Sequence, residues 1–361
     1  MELFSIRSLY DAFVRAYRGR EKTKEVIKYQ FDLESNLVHL QRRLLSFEYK
    51  HFPYRHFIVS DSKKRFISAP SFEDHILHHI LYEYLYDIFS PIFIFHSFAN
   101  LKHKGSHKAI KSLRNQLYKF DFFMKMDITK YFQSIDKEIL FSQIQRRVSD
   151  KMALYYILKV IESYEDTTIS NPFTNNSTGI PIGNVTSQLF ANIYLHDLDF
   201  YIEHTIKPRM RQKGKDIFYI RYVDDFIFLT QSLEDTLLLR DEILSFLQQR
   251  LKLSVSSKKL IINRITNGIS FLGYTLINGR IKVKNDTLRR FRRKISSYDE
   301  ERKIRALMSF KGHCDIANPH LIQTLAQNSL SIRDTNIFKP QNFKCSLNEL
   351  PHKKCQKIIL V

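Results

Sequence analysis

Cysteine is scarce in this chain. Only Cys314, Cys345 and Cys355 occur among 361 residues, all late and without a CxxC pair. That excludes a disulfide framework and suits a reducing compartment. His313, Cys314, His352 and Cys355 are residue types that can hold zinc, but their spacing fits no established zinc pattern. Long apolar runs are missing too. No stretch approaches a membrane span, and the opening segment, Met1 to Phe13, lacks the basic-then-apolar order of a secretory leader. A cytoplasmic protein with no membrane partner is expected. Acidic residues are the third shortage: 37 Asp+Glu stand against 57 Lys+Arg, a net charge of +20 and a pI near 9.7. A chain this basic most often meets a polyanion, nucleic acid first; the alternative is charge that serves solubility alone. The hydrophobic fraction of 43% and aromatic fraction of 13% argue for a globular protein. Its length suits one large domain or two to three subdomains.

Among the few acids, one adjacent pair stands out. Asp224 and Asp225 lie between two β-forming runs, Ile217 to Ile220 and Phe226 to Leu229. Aromatic and β-branched runs around a short polar break predict a hairpin with the two carboxylates at its tip. Neighbouring anions repel unless a cation joins them, and a divalent metal is the usual solution. An ordinary polar turn is the other reading of the same residues.

Elsewhere the first half reads as helical. Leu33, Leu37, Leu40 and Leu44 recur at helical spacing. Residues 57–70 read as two short strands around a basic turn at Asp61–Arg65, followed by a helix from about Phe72 to Phe89. That helix carries His75, His78 and His79, as core or interface residues or, at four-residue spacing, as a metal pair. Ser97 to Lys108 is a basic loop running into a helix, a combination that suits phosphate binding. Residues 121–136 predict a strand that presents Asp127 at a sheet edge. A polar loop at 166–178 precedes Gly179-Ile180-Pro181-Ile182-Gly183, and Thr186 or Ser187 can cap a helix with Phe190, Tyr194, Leu198 and Tyr201 on one face. A further helix is expected near 233–251, a β-like run at Ile269 to Tyr274, and a very basic stretch from about 280.

If the strands carrying Asp127 and the Asp pair lie side by side, with helices on one face of their sheet, three carboxylates meet at one edge. Such a site can hold two Mg²⁺ ions for phosphoryl transfer.

At this point the chain resembles a reverse transcriptase, over roughly residues 55 to 275. Residues 124–132 (MKMDITKYF) and 222–225 (YVDD) resemble the family's palm motifs. The resemblance implies an α+β right-hand polymerase fold: fingers at 1–120, a palm with an antiparallel sheet at 121–275, and a helical thumb with a basic tail at 276–361. It implies RNA-directed DNA synthesis, with Asp127, Asp224 and Asp225 as catalytic residues and, with Ile128, as ligands to two Mg²⁺ ions, for which Mn²⁺ can substitute. Phe132 matches the gate against a 2′-hydroxyl. Lys63 and Arg65 match basic contacts to the incoming dNTP, and Lys259 a lysine near its triphosphate. Phe271, Leu272 and Gly273 resemble the primer grip, and Lys102, Lys104, Arg289, Arg290, Arg292 and Arg293 are expected on template and primer. Ile182 stands where many relatives have Gln. The pattern Ile182-Gly183 followed by Ser187-Gln188 is similar to the enzymes of diversity-generating retroelements, and places Ile182, Gly183 and Gln188 near the nucleotide. A site that packs with Ile where Gln would hydrogen-bond discriminates less well against mispairs; plain core packing is the alternative for Ile182. The subfamily implies a template RNA, an RNA/DNA duplex and a small basic accessory protein as partners. A phage-defence reverse transcriptase acting with a second defence protein is the alternative role, and an idle RNA-binding scaffold or a cyclase are weaker ones.

Overall fold

The computed structural model of the protein describes residues 3–60, 64–164 and 177–330. Helices α1 (Ile6–Tyr17), α2 (Lys24–Phe31) and α3 (Leu33–Leu45) open the chain, and β1 (Arg55–Ser60) and β2 (Lys64–Ala69) form an antiparallel hairpin. Then come α4 (Phe72–Phe89), α5 (Ser106–Arg114) and β3 (Phe122–Asp127). Helices α6 (Tyr131–Ser134), α7 (Lys137–Gln145), α8 (Lys151–Glu162), α9 (Val185–Tyr194), α10 (His196–Tyr201) and α11 (Lys207–Gln212) precede β4 (Phe218–Tyr222) and β5 (Asp225–Thr230). After α12 (Leu233–Leu251) the chain adds β6 (Ile261–Arg264), β7 (Ile269–Phe271), β8 (Tyr274–Ile277) and β9 (Arg280–Val283). Helices α13 (Asn285–Ser296), α14 (Glu300–Asp315) and α15 (Leu321–Ser329) complete the described residues.

The centre is a four-stranded antiparallel sheet in the order β4-β5-β3-β6. Alternation along its strands sends side chains to two different cores. Met124, Met126, Ile128, Tyr219, Phe226 and Phe228 face the larger core, shared with α1, α3, α4, α7, α8, α9 and α12. Phe123, Phe218, Ile220, Ile227 and Leu229 face a second core built with α5 and the three-stranded sheet β7-β8-β9. The expectation of helices on one face is therefore met, and the other face is covered by a helix and a second sheet. A third cluster, around Ile295, Leu307, Cys314, Ile322 and Leu325, packs α13, α14 and α15 together. Phe4 and Leu253 both belong to the larger core, so packing continues across residue 120.

Several expectations are met closely. Helices run from Phe72 to Phe89 and from Leu233 to Leu251, and Leu37, Leu40 and Leu44 are buried. One is corrected. The N-cap of α9 is Asn184, and Thr186 and Ser187 lie inside the helix, buried. Thr186 is used differently: its hydroxyl lies 2.7 Å from His78 Nδ1. The apolar face expected to continue to Tyr201 is split at Leu195, where α9 gives way to α10.

The edge of β4 is not free. Arg221 N–H donates to the His96 carbonyl and Phe98 N–H donates to the Arg221 carbonyl, each at 3.0 Å, so residues 96–98 cover this edge of the sheet. The Arg221 side chain is fully buried against Asp199 of α10, also fully buried. Its Nε donates to both Asp199 oxygens at 2.9 and 3.1 Å, and one terminal nitrogen donates at 2.5 Å. The other terminal nitrogen donates to Asn192 Oδ1 at 2.9 Å and to the Val223 carbonyl at 3.1 Å. Tyr219 adds a hydroxyl donor to Asp199 at 2.8 Å. Burial works against the charge on Arg221, but the pull of Asp199 outweighs it and holds the guanidinium above its ordinary pKa. Removing one partner of such a pair leaves the other charge uncompensated inside the protein, at a cost of about 3–5 kcal/mol. Arg221→Leu should lower stability by about that amount in urea unfolding; a loss below about 1 kcal/mol would show that the pair does not hold the hairpin.

Candidate active site

The β4–β5 hairpin closes in two residues, since Tyr222 pairs with Asp225. Val223, the first of them, sits at φ +56°. A β-branched residue in left-handed backbone is strained, and such strain persists only where the surroundings impose it. Here the hydrogen bond from Arg221 to the Val223 carbonyl is part of what imposes it. The turn carries Asp224, and Asp225 begins β5 directly opposite Asp127 at the end of β3. Antiparallel partners in register point to the same face. The structure therefore brings the three predicted carboxylates to one end of one sheet.

Two lysines share this end. Lys125, two residues before Asp127 and on the same face, donates to Asp225 Oδ2 at 3.0 Å and to the Ser270 carbonyl at 3.1 Å, and lies 5.6 Å from the centre of the Phe271 ring. Sequence reasoning passed over Lys125; its place two residues from Asp127 on a strand, hence on the same face, was the available signal. Lys259, in the turn Ser257–Lys259 before β6, donates to Asp127 Oδ1 at 2.8 Å and approaches the Ile128 carbonyl at 3.5 Å. Even so, burial raises the pKa of Asp225 to about 6 against the pull of Lys125, with Asp127 and Asp224 adding to the rise. Asp224 is also raised, by burial first and by the Asp127 charge second. The other oxygen of Asp225, Oδ1, is buried without a hydrogen-bond partner among the described residues.

These residues fit a hard divalent cation. The donors are all oxygens, one is a buried acceptor without a donor among the described residues, and Asp224 and Asp225 resist ionising. Among the described residues no three His, Cys, Asp or Glu side chains form a ready-made metal cage. Magnesium is commonly held by one or two carboxylates, with water and substrate phosphates completing the shell.

The remaining predicted residues fall into groups. Ile180 N–H donates to the Phe132 carbonyl at 2.8 Å, and Ser68 N–H of β2 donates to the Ile182 carbonyl at 3.0 Å. Residues 180–183 thus tie the Phe132 turn to the β1–β2 hairpin. A Cβ added to Gly183, at φ +128°, would lie 3.0 Å from Ile67 Cγ2 and 3.2 Å from the Ser68 carbonyl. Phe132 is half-buried against the larger core, and Ile182 is half-buried without joining any of the three hydrophobic clusters. Gln188 is exposed on α9, Arg65 is exposed in β2, and Lys63 lies outside the described residues. Phe271 is buried, and Leu272 and Gly273 form the β7–β8 turn with φ of +48° and +84°. Lys125 links this turn to the carboxylates through Ser270. Lys104 donates to the Phe95 carbonyl at 2.6 Å and lies over the Phe95 and Phe98 rings, so its charge staples the loop that covers β4. Lys102 is exposed, 4.8 Å over the Tyr86 ring and 3.8 Å from Glu83. Arg289, Arg290, Arg292 and Arg293 are all exposed on α13.

The histidines and cysteine have structural uses. Burial pushes His75 to about 3 and His79 to about 4, and pushes His78 down as well. His78 Nε2 lies 3.1 Å from His51 Nε2. His313 stacks on Tyr274 at 4.2 Å, and burial raises the Cys314 thiol to about 12, which suits a core residue rather than a ligand. His352 and Cys355 lie outside the described residues.

Residues 59–276 match the family described as reverse transcriptase (RNA-dependent DNA polymerase), and the chain belongs to that family. RNA-directed DNA synthesis is therefore its class of activity, and its fold is the right-hand polymerase fold. The chain is 26% identical over 283 residues to protein YkfC of Escherichia coli strain K12, a match covering 70% of this chain and 74% of YkfC. It is 25% identical over 295 residues to the group II intron-encoded protein LtrA of Lactococcus lactis subsp. cremoris, covering 63% of this chain and 48% of LtrA. A telomerase structure from Candida albicans, in complex with a fragment of telomeric RNA, aligns with 13% identity and a TM-score of 0.45, over 80% of this chain and 61% of that one. No helix among the described residues is long and apolar enough to cross a membrane.

The raised pKa of Asp225 has a measurable consequence. The folded state holds this proton more tightly than the unfolded chain does, so stability falls as pH rises from about 4 to about 6 and levels off above. In metal-free buffer the wild type should lose on the order of 2 kcal/mol across that window relative to Asp225→Asn. Identical pH dependence of the two in urea unfolding would remove the assignment.

Proposed function

We propose that the chain is an RNA-directed DNA polymerase that works by two-metal nucleotidyl transfer, copying a template RNA with dNTPs. The observation that supports it best is the register of Asp127 with Asp225, with Asp224 in the adjoining strained turn. Asp127, Asp224, Asp225 and the Ile128 carbonyl would hold two Mg²⁺ ions, or Mn²⁺ in their place. When bound, these ions supply a lowered pKa at the primer 3′-hydroxyl and neutralise charge on the leaving phosphates. The rest falls to the protein. The primer 3′-hydroxyl gives its proton to solvent, its oxygen attacks the α-phosphorus, the bond to the bridging oxygen of the β-phosphate breaks, and pyrophosphate leaves. Lys259 moves from Asp127 to the triphosphate and protonates the leaving oxygen. Lys125 keeps Asp225 turned toward the site and holds the Leu272–Gly273 turn against the primer. Phe132 packs where a 2′-hydroxyl would project, and Arg65, Gly183 and Gln188 line the approach of the nucleotide. Fingers at 1–120, palm at 121–275 and a thumb from 276, with Arg289, Arg290, Arg292 and Arg293 on the duplex, follow from this reading.

We infer further that the enzyme copies with low fidelity, as part of a diversity-generating retroelement with a small basic accessory protein. The Ile182-Gly183 and Ser187-Gln188 pattern supports this, as does the position of Ile182 outside the hydrophobic clusters, where it contributes little to the core. A phage-defence role is the alternative, and a template and variable repeat beside the gene would decide between them.

Wild-type protein should incorporate dNTPs on a primed RNA only with Mg²⁺ or Mn²⁺, and Asp224→Asn should reduce the rate by at least about a thousandfold. Full activity of that variant would sink the mechanism. Ile182→Gln should lower misincorporation opposite template adenine several-fold, by about 1 kcal/mol of discrimination. An unaltered error spectrum returns Ile182 to a packing role.

A further inference from the structure

The carboxylates occupy one end of the central sheet, and the opposite end carries a different chemistry. From Asp127 to Phe122, β3 spans about 17 Å. At the Phe122 end two surface grooves, of about 570 and 720 Å³, share Arg114 and Gly279 in their linings. The first also takes Arg280 and Lys282 from β9, and the second Tyr118, which is 79% exposed. Arg114 ends a ridge along α5 with Lys111 and Lys108, three residues apart and all exposed. Arg264, paired with Phe122 across β3 and β6, adds a guanidinium 5.3 Å over the Phe122 ring.

Several other arginines on the protein are neutralised. Arg55, Arg146, Arg209 and Arg240 each pair with a carboxylate. Among the described residues, Lys111, Arg114, Arg264, Arg280 and Lys282 have no carboxylate within ion-pair distance. Asp121 is the one carboxylate lining either groove. Unpaired like charges gathered around a concave surface repel one another, and a polyanion relieves that repulsion. An exposed tyrosine beside them offers a stacking face of the kind used for unpaired bases.

We propose that this far end of the sheet is a second nucleic-acid surface, centred on Arg114, Arg280 and Lys282, that binds the RNA flanking the copied stretch of the template. The proposal rests on the polymerase reading for its choice of RNA: a template longer than the cleft must leave it somewhere. Phosphates lie along Arg114, Arg280 and Lys282, and Tyr118 takes a base at the rim. The template–primer duplex is held separately, at the carboxylate end.

The test uses the full chain and two probes: an RNA hairpin with a stem of about 16 base pairs and no free primer end, and a short primer–template that fills the cleft alone. Combined Arg114→Glu, Arg280→Glu and Lys282→Glu should weaken hairpin binding at least about tenfold and reduce the slope of log affinity against log salt by about two to three. Binding and extension of the short primer–template should stay within about twofold. Unchanged hairpin affinity and slope would overturn the proposal. So would an equal loss for both probes, which would place these cations on the cleft's own duplex track. Displacement of the hairpin by polyglutamate at equal charge would overturn the assignment to RNA. The corresponding Gln variants, with unfolding followed by circular dichroism, give the same comparison if the reversed charges prevent folding. Binding is read without synthesis, so Asp224→Asn must bind the hairpin as wild type does. A chain that bound it but never extended a primer would sink the polymerase reading alone.

Discussion

The buried contact between Arg221 and Asp199 is the constraint on which the hairpin of the candidate site depends. An unpaired guanidinium or carboxylate inside the core would be prohibitively costly, so each requires the other. Their pairing fixes α10 against β4, and the one terminal nitrogen not directed at Asp199 reaches Asn192 of α9 and the Val223 carbonyl. A turn that a β-branched residue adopts reluctantly is thereby held from behind, through the larger core, while Asp225, two residues from Ile227, lies on the other face of the sheet. Strain at the tip and charge in the core are parts of one device.

On the opposite face the problem is one of excess negative charge. Lys125 and Lys259 each engage one aspartate, and each is anchored to a backbone carbonyl as well. They leave Asp225 Oδ1 without a hydrogen-bond partner among the described residues and the pKa of Asp225 raised to about 6. Two lysines thus keep the carboxylates together without saturating them, the balance a site needs if it is to accept further cations with its substrate. Lys125 does a second task, because its contact with Ser270 carries the β7–β8 turn. The central sheet, its carboxylates and the smaller sheet are connected through one ammonium group.

Much of this was legible without coordinates. Alternation between polar and apolar residues placed β3, β4 and β5, and helical spacing placed α3, α4 and α12, because burial of a face leaves that pattern in any chain. The Asp224–Asp225 tip was readable for the same reason. Less was legible where a residue's role depends on what lies opposite. Thr186 and Ser187 resembled a helix cap because hydroxyls often cap, but burial against α4 gave Thr186 a partner in His78 and left the cap to Asn184. Lys104 read as a phosphate contact, whereas the structure directs its charge to the carbonyls and rings of its own loop. The Asn278-Gly279 pair that closes β8 to β9 was a turn signal left unused.

The sequence by itself determined the reaction class and singled out the carboxylates of the candidate site. Local patterns and motif order survive in one dimension because each strand or helix must carry its own periodicity. Only the tertiary structure decided which charges meet. Arg221 with Asp199, Lys125 with Asp225 and Lys259 with Asp127 are separated by 22, 100 and 132 residues. Electrostatic pairing falls with distance in space and takes no account of distance along the chain. The same applies to the cations around Arg114 and Arg280, which have no carboxylate within ion-pair distance among the described residues, and nearness is a property of the fold.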